Sequence, residues 1–395
     1  MLDRYRETLG HDRVYCLPFA ASAAIHNPVC NLTGRADRVC FSGTFYQNRY
    51  PERGADSLRL LRLAAPFGLD IFDRNLGESD PGLRFPEELA GYVRGTLSGR
   101  RIDIANKGYR VGINVTTVKD SPTMFARRVY ELLACGTPVL SNYSVGIERR
   151  FGGIVCASDD DDTCRSFLEK MFTDEHAYRK TQLLGIRSVL SQDTYADRLT
   201  TICEKIGIRI KRRQPRVLVL SRAASARECE HITRMFNRQS WPHKLLRVLC
   251  ETGKKRGDDT VIATPDALPE SGYDFIAYFS PQDTYTRNFL TDLCIASSYA
   301  PHDVIGKACY YALQDAKPVL QGGGWDFSVA PWVHSHAMML RAQSVRLLAP
   351  ATLWELFEQP EANQALLDRL TKFSADRFGY IGNCRNDSFR STVDI

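Results

Sequence analysis

Residues 111–141 read VGINVTTVKDSPTMFARRVYELLACGTPVLS, and this stretch decides the fold class. Residues 111–115 predict a strand, and Val139-Leu140-Ser141 predicts another. Between them lie apolar residues at i, i+4, i+7 and i+8, namely Phe125, Val129, Leu132 and Leu133. This spacing predicts a helix from Phe125 to Cys135, which Gly136-Thr137-Pro138 ends. The stretch is therefore a strand–helix–strand unit.

The sequence before and after this unit continues the alternation. Arg38–Ser42 and Leu69–Phe72 predict strands, and Ser57–Ala64 predicts a helix between them. Helices over residues 163–172 and 195–206 follow the last strand. Alternation of this kind is typical of a parallel sheet with helices on both faces. We therefore expect an α/β fold with a Rossmann-like sheet.

A short basic segment divides the chain. Residues 208–216 are rich in Lys and Arg and contain Pro215, and Val217-Leu218-Val219-Leu220 then starts a new strand. We predict one domain over residues 1–207, a linker over 208–216 and a second α/β domain over 217–395. Lys211-Arg212-Arg213 is better explained as a solvated linker than as a nucleic-acid patch.

The composition is that of a globular protein with real cores, because 44% of the residues are hydrophobic and 25% are charged. The net charge of +6 is too small and too dispersed to indicate nucleic-acid binding. No apolar run reaches the roughly 20 residues that a membrane span requires. The cysteines form no CxxC pair and lie mostly in apolar runs, which favours a reduced, cytoplasmic protein.

A first candidate anion site follows the strand at residues 38–42. In Phe41-Ser42-Gly43-Thr44-Phe45, a small residue at the strand end lets the backbone approach a phosphate closely. Arg49 and Arg53 lie just downstream, and a guanidinium can bind phosphate oxygens in a bidentate fork. The same residues also fit an ordinary turn with surface arginines, so both interpretations stay open.

A second candidate lies at the start of the helix predicted after residue 120. Ser121 suits the N-cap and Pro122 the first helical position, which would make this helix start an anion site. Arg127 and Glu131 are four residues apart and share a helix face, where a carboxylate can accept both hydroxyls of a ribose. An exposed Arg–Glu pair of little consequence fits the pattern equally well.

The acidic run Asp159–Asp162 has the composition of a metal site. Acidic side chains also favour the positive end of a helix, and a helix is predicted directly after them. We interpret the run as a helix start.

Arg128–Ser141 resembles the signature of GT-B glycosyltransferases, and residues 10–205 are similar to the glycosyltransferase-like domain of the spore-maturation type. The shared features include Leu17–Ala20 and the strand ending at Gly43. The resemblance implies that Glu131 binds the donor ribose and that the diphosphate is held without an essential metal or other cofactor. The donor-binding residues that it implies are Gly43, Thr44, Arg49, Ser121, Thr123, Arg127, Arg128, Glu131, Gly136 and Thr137.

The first domain departs from this family in two ways. Many relatives carry a second acid at the position that Thr123 occupies. Only a few dozen residues precede the strand at Phe41, so the acceptor-binding half of a GT-B enzyme is not recognisable. No general base is therefore assigned, since His11 and His26 are isolated histidines of the kind that usually serve structure.

The second domain resembles a family-2-type GT-A glycosyltransferase, through its first strand, Asn237–Pro242 and residues 274–290. Ser280 and Gln282 occupy the places of two metal-binding acids, and only Asp283 remains. One carboxylate is a poor divalent-metal site. This domain is therefore predicted to be a degenerate GT-A-like domain without a metal, and Gly322–Gly324 is interpreted as a turn. The polar residues His302, Asp303, Gly306, Lys307, His334 and His336 fit loops or core better than a site.

The resemblance predicts a glycosyltransferase that moves a sugar from a nucleotide-diphosphate donor to a glycan or other acceptor. The alternatives are a non-catalytic protein that binds nucleotide-sugar or glycan, a scaffold in glycan assembly, and a fragment of a longer transferase. The expected partners are a nucleotide-sugar, an acceptor, and a protein that supplies an acceptor domain. Neither nucleic acid nor a membrane span is expected.

Overall fold

The structure is a computed structural model that describes residues 2–30, 34–250, 260–268, 271–385 and 389–395. It divides into two compact units, Met1–Lys211 and Arg212–Ile395. The division falls inside the basic segment 208–216.

Helices and strands alternate along the first unit. Its elements are α1 (Leu2–Leu9), β1 (Ala36–Gly43), α2 (Pro51–Ala64), β2 (Leu69–Asp73), α3 (Glu87–Ala90), β3 (Val93–Gly95), α4 (Asp103–Lys107), β4 (Tyr109–Asn114), α5 (Arg128–Ala134), β5 (Val139–Ser141), α6 (Val145–Phe151), β6 (Cys156–Ala157), α7 (Asp161–Thr173), α8 (Glu175–Leu190) and α9 (Tyr195–Lys205). Short 3-10 turns cover residues 65–67, 81–83 and 99–101.

The six strands form one parallel sheet in the order β3-β2-β1-β4-β5-β6. The predicted Rossmann-like parallel sheet is therefore confirmed. The central strand β1 pairs with β2 on one side and β4 on the other, so that Val39 lies opposite both Leu69 and Val111. Helices cover both faces, because Val39 and Phe41 pack in one apolar cluster while Cys40 lies in another with Ala105 of α4.

The helix predicted at Phe125 begins later than expected, at Arg128. Residues 121–127 form a turn and a loop, in which the Ser121 hydroxyl accepts a hydrogen bond from the backbone N–H of Met124 at 3.1 Å. The buried ring of Phe125 stacks on Tyr130, with 5.4 Å between ring centroids, and meets the edge of Phe151. This packing holds Phe125 in the loop, so the prediction of a helix start with Ser121 as N-cap is wrong.

The acidic run behaves as predicted. Asp160 caps α7, and its carboxylate accepts the backbone N–H of Thr163 at 2.8 Å. None of the helices among the described residues is both long and apolar enough to cross a membrane.

The described part of the second unit contains many short strands and two 3-10 turns, at residues 335–337 and 360–363. Its elements are β7 (Val217–Ala223), α10 (Ala226–Arg238), β8 (Lys244–Cys250), β9 (Val261–Ile262), β10 (Phe275–Tyr278), β11 (Thr284–Tyr285), α11 (Phe289–Ala296), β12 (Val304–Gly306), β13 (Tyr310–Gln314), β14 (Lys317–Gln321), β15 (Ser328–Val329), β16 (Met338–Arg341), α12 (Ala342–Val345), α13 (Pro350–Glu358), α14 (Gln364–Arg369), β17 (Lys372–Ser374), β18 (Tyr380–Gly382) and α15 (Arg390–Val393).

These strands form two sheets. The larger sheet is mixed, with the order β15-β17-β12-β16-β10-β7-β8-β9, and its strands β10, β7, β8 and β9 run parallel. The smaller sheet has the order β11-β18-β13-β14. The chain passes from the larger to the smaller sheet three times, after β10, after β12 and after β17.

A buried ion pair joins the passages after β12 and β17. Lys307 follows β12 and Asp376 follows β17, and the Lys307 Nζ lies 3.0 Å from the Asp376 Oδ1. The ammonium also donates to the Asp376 backbone carbonyl at 2.9 Å. Both side chains are almost fully buried, so each charge depends on the other for compensation.

We expect Asp376→Ala to lower the free energy of unfolding of the second unit by about 3–5 kcal/mol, because it leaves an unpaired buried ammonium. Urea denaturation followed by tryptophan fluorescence measures this, since Trp241, Trp325, Trp332 and Trp354 all lie in the second unit. Arg213→Ala breaks the exposed pair with Asp274 and serves as control, with an expected cost below about 1 kcal/mol. If the two variants lowered the free energy of unfolding equally, the buried pair would stabilise the second unit no more than a surface pair does.

Candidate functional site

The candidate site lies where β1 and β4 end. In an open parallel sheet, ligands bind outside the carboxyl ends of the strands, at the point where the strand order reverses. That point lies between β1 and β4 here, because β2 and β3 extend the sheet on one side and β5 and β6 on the other. Strand β1 ends at Gly43 and β4 at Asn114.

Arg128 lies beside the end of β1. Its guanidinium carbon is 5.8 Å from the centre of the Phe41 ring. A Cβ atom added to Gly43 would lie 3.4 Å from an Arg128 nitrogen and 3.0 Å from the Phe41 ring. Gly43 therefore lets the arginine approach the backbone of the strand end.

The charge of Arg128 has little compensation. Among the residues that the structure describes, no hydrogen bond or ion pair reaches its guanidinium, although the side chain is half-buried. Burial is the main cause that lowers the pKa of Arg128 to about 10; the charge of Glu131 opposes this shift, and the nearby cations Arg74 and Arg53 contribute to it. The group stays protonated at neutral pH. A half-buried cation of this kind favours a bound anion.

Two other residues are predicted to bind a donor at this strand end, Thr44 and Arg49. Thr44 is buried, and its backbone carbonyl accepts a hydrogen bond from Arg53 at 3.1 Å. Arg49 is exposed, with its guanidinium 5.4 Å from the centre of the Tyr50 ring. Arg74, which sequence reasoning missed, follows β2, and its backbone N–H donates to the Gly43 carbonyl at 3.0 Å. The rule that ligands meet strand ends is the signal that identifies it.

Glu131 lies one turn further along α5 than Arg128. Its carboxylate is only 12% exposed, and its Oε1 lies 2.7 Å from the Arg127 Nε and 3.8 Å from the His26 Nε2. No partner for Oε2 is present in the described parts of the chain. The predicted Arg127–Glu131 pair therefore forms. Its two members differ in burial, because the arginine side chain is 57% exposed whereas the carboxylate is largely buried.

His26 is a second residue that sequence reasoning did not assign to the site. Its Nδ1 accepts a hydrogen bond from the backbone N–H of Ser22 at 3.2 Å, which leaves the proton of the neutral ring on Nε2, facing Glu131. Burial lowers the pKa of His26, and the charge of Glu131 opposes this shift. Nothing in the local sequence signals this contact, because it joins residues far apart in the chain.

Two predicted residues lie in the loop before α5. Ser121 uses its hydroxyl to close the turn at Met124, and Thr123 is exposed. Because no helix begins at Ser121, the expectation of a helix-start anion site there is wrong.

Gly136 and Thr137 lie at the other end of α5, about 10 Å along the helix from Arg128. Gly136 ends the helix with a φ of +66°, which suits glycine. The Thr137 hydroxyl donates to the Asn106 carbonyl at 2.6 Å and accepts from Arg35 at 2.5 Å. The structure therefore does not bring these two residues together with Gly43.

In the second unit, Asp283 is buried and has three hydrogen-bond donors. They are His336 Nδ1 at 2.8 Å, the Tyr380 hydroxyl at 3.0 Å and the backbone N–H of Asn383 at 2.8 Å. Both carboxylate oxygens are thus engaged by the protein itself.

Residues 72–204 match a family model described as glycosyl transferase-like. Three solved structures resemble the chain at low identity. Sucrose-phosphate synthase from Thermosynechococcus elongatus is 15% identical, with a TM-score of 0.38, and the match covers 52% of this chain and 56% of that chain. AviGT4, a glycosyltransferase involved in avilamycin A biosynthesis, is 15% identical, with a TM-score of 0.36 and coverage of 51% of this chain and 60% of that chain. The GtfA/B complex is 12% identical, with a TM-score of 0.31 and coverage of 52% of this chain and 43% of that chain.

The chain therefore matches about half the length of these structures. No curated protein sequence matches it significantly. The family match and the parallel sheet agree on the first unit, which contains a glycosyl transferase-like domain.

Proposed function

We propose that the first unit binds a nucleoside-diphosphate sugar at the carboxyl ends of β1 and β4, and that the protein transfers the sugar to a glycan or other acceptor. The observation that carries the proposal is the Arg128 guanidinium, which lies beside Gly43 without a hydrogen-bonded counter-charge among the described residues. The diphosphate would supply that counter-charge. The spore-maturation subtype and the GT-A-like identity of the second unit stay predictions.

The chemistry of glycosyl transfer fits this arrangement. When the sugar departs, negative charge develops on the diphosphate, and a fixed cation in a partly desolvated site stabilises that charge. Arg128 is such a cation, and Arg53 and Arg74 add positive potential around it. This proposal requires no metal ion, because the arginines take the role that a divalent cation has in other transferases.

Glu131 is suited to hold the ribose. Arg127 and His26 both lie on the side of Oε1, so the carboxylate is fixed in orientation and Oε2 is left to accept hydroxyl protons. A buried carboxylate with a free oxygen distinguishes a ribose from a ligand without hydroxyls, since the unpaired oxygen is costly when no donor reaches it. Thr44, Arg49, Ser121 and Thr123 stay predictions, while Gly136 and Thr137 are better explained by the contacts that end α5.

Binding without transfer is the second candidate function. The observation that favours it is the state of His26, the histidine of this site, because Nδ1 is hydrogen-bonded and Nε2 faces Glu131. His26 cannot accept an acceptor's proton without giving up one of these contacts. Release of nucleoside diphosphate from a bound nucleotide-sugar when acceptor is added distinguishes transfer from binding alone.

We expect Arg128→Gln to weaken nucleoside-diphosphate binding by about 10- to 100-fold, because it removes a charge-assisted contact. Isothermal titration calorimetry with the diphosphates of uridine, guanosine, thymidine and adenosine identifies the preferred base. The matching nucleoside without phosphates should bind wild type and variant alike. Arg62→Gln, an exposed arginine of α2 paired with Glu88, is the control and should bind as wild type does. If no diphosphate binds the wild type, the first unit has no donor site.

Glu131→Gln should remove the preference for a ribose over a 2′,3′-dideoxyribose. In the wild type the natural nucleoside diphosphate should bind about 10-fold or more tightly than its dideoxy analogue, since each hydroxyl donates to a charged acceptor. In the variant the two ligands should differ by much less. Glu88→Gln is the matched control on the exposed surface of the same unit. An unchanged preference in Glu131→Gln would place the ribose elsewhere.

A further inference from the structure

The second unit contains a polar cleft of about 300 Å³ at the carboxyl end of β10. It is surrounded by the loop after β10, the strands β13 and β18, the turn before β16 and the end of α13 with the residues that follow it. Its walls combine histidines, acids, amides and aromatic rings, which include His334, His336, Asp283, Tyr310, Tyr380 and Asn383.

Two of these side chains form a His–Asp pair. Asp283 and His336 are 53 residues apart in the chain, yet the His336 Nδ1 lies 2.8 Å from the Asp283 Oδ2. An ionised carboxylate only accepts hydrogen bonds, so the proton of the neutral imidazole is on Nδ1. The lone pair is therefore on Nε2, for which the described residues provide no partner. The side chain of His336 is 27% exposed and reaches the cleft.

The pair is held rigidly. The carboxylate of Asp283 also accepts the Tyr380 hydroxyl at 3.0 Å and the backbone N–H of Asn383 at 2.8 Å. Asn383 has a φ of +56°, a conformation that costs energy for a residue other than glycine. The His336 ring packs against Tyr278, with 5.4 Å between centroids. The direction of the free Nε2 is thereby fixed.

The charges of the cleft disfavour an anionic ligand. Within the described ranges, its lining has three carboxylates and neither lysine nor arginine. Asp283 is compensated by its donors, and Glu358 is paired with Arg222 at 2.9 Å, so only the exposed Glu361 is left uncompensated. The residues that line the cleft therefore offer a diphosphate no cation, and the neighbouring Arg385 donates to the side-chain oxygen of Gln282.

The donors and aromatic rings of the cleft suit a neutral ligand with hydroxyl groups. Burial lowers the pKa of His334 to about 4, so this second imidazole is neutral at pH 7. Its ring lies edge-to-face with Tyr310, at 4.6 Å between centroids. Tyrosines offer an apolar ring and a polar hydroxyl to the same ligand. A carbohydrate presents the same combination of apolar C–H faces and hydroxyl groups.

We propose that this cleft binds a neutral carbohydrate, one of whose hydroxyl groups donates a hydrogen bond to His336 Nε2, without a metal ion. Asp283 acts as a positioning residue, because it holds the imidazole in the tautomer that leaves Nε2 free to accept. The site is separate from the proposed donor site and does not depend on it.

Saturation-transfer NMR with the full chain tests the proposal, using the methyl glycosides of glucose, galactose, mannose, rhamnose and N-acetylglucosamine as probes. At least one glycoside should bind. His336→Asn should raise the dissociation constant of this glycoside by about 10-fold or more, because the loss of Nε2 leaves a glycoside hydroxyl without its acceptor. The asparagine amide takes the place of Nδ1 and can still donate to Asp283, so this variant preserves the buried carboxylate contact. Glu88→Gln, on the exposed surface of the first unit, should bind the glycoside as wild type does.

A second measurement covers the case in which His336→Asn does not fold. In wild-type protein with ¹⁵N-labelled histidine, His336 should show a proton on Nδ1 and none on Nε2, and the glycoside should shift the Nε2 signal. The proposal is overturned if no glycoside binds, if Nε2 carries the proton in neutral His336, or if His336→Asn folds and binds unchanged. Displacement of the glycoside by a nucleoside diphosphate with magnesium would also overturn it, since the cleft would then be a metal-dependent donor site.

Discussion

The parallel pairing of β1 with two neighbours is the constraint on which the first unit depends. Parallel strands must be joined by crossovers, and their carboxyl ends then lie at one edge of the sheet. With β2 on one side and β4 on the other, the crossovers leave in opposite directions and open a crevice above Gly43. Because α5 begins near this crevice, its first residue, Arg128, is held beside the strand end.

The two units differ in how far protein groups compensate their buried charges. In the first, Arg128 has no hydrogen-bonded counter-charge in the described structure, and this is the basis on which we propose an anionic ligand. In the second, Glu358 and Asp376 are paired with cations, and Asp283 accepts hydrogen bonds from three protein donors. An incompletely compensated cation selects anions, whereas a site whose charges are already paired selects ligands by hydrogen bonding and shape. Two α/β units of similar size are thereby suited to different classes of molecule.

The sheet of the first unit could be predicted from the sequence because its strands are short apolar runs, such as Val139–Ser141, bounded by turn residues. The start of α5 could not. Ser121-Pro122 is a strong local signal for a helix start, but the stacking of Phe125 on Tyr130 and its edge contact with Phe151 oppose it, and tertiary packing prevails. The contacts of Glu131 with His26 and of Asp283 with His336 join distant residues, so no local pattern contains them.

The three hydrogen bonds to Asp283 also limit how this protein can evolve. An aspartate introduced at Ser280 or Gln282 would add a carboxylate, yet a divalent ion would still have to compete with His336, Tyr380 and Asn383 for the oxygens of Asp283. Removing those competitors would in turn leave a buried carboxylate without donors until a metal ion bound. Restoring the two acids alone would therefore not make this carboxylate available to a metal ion.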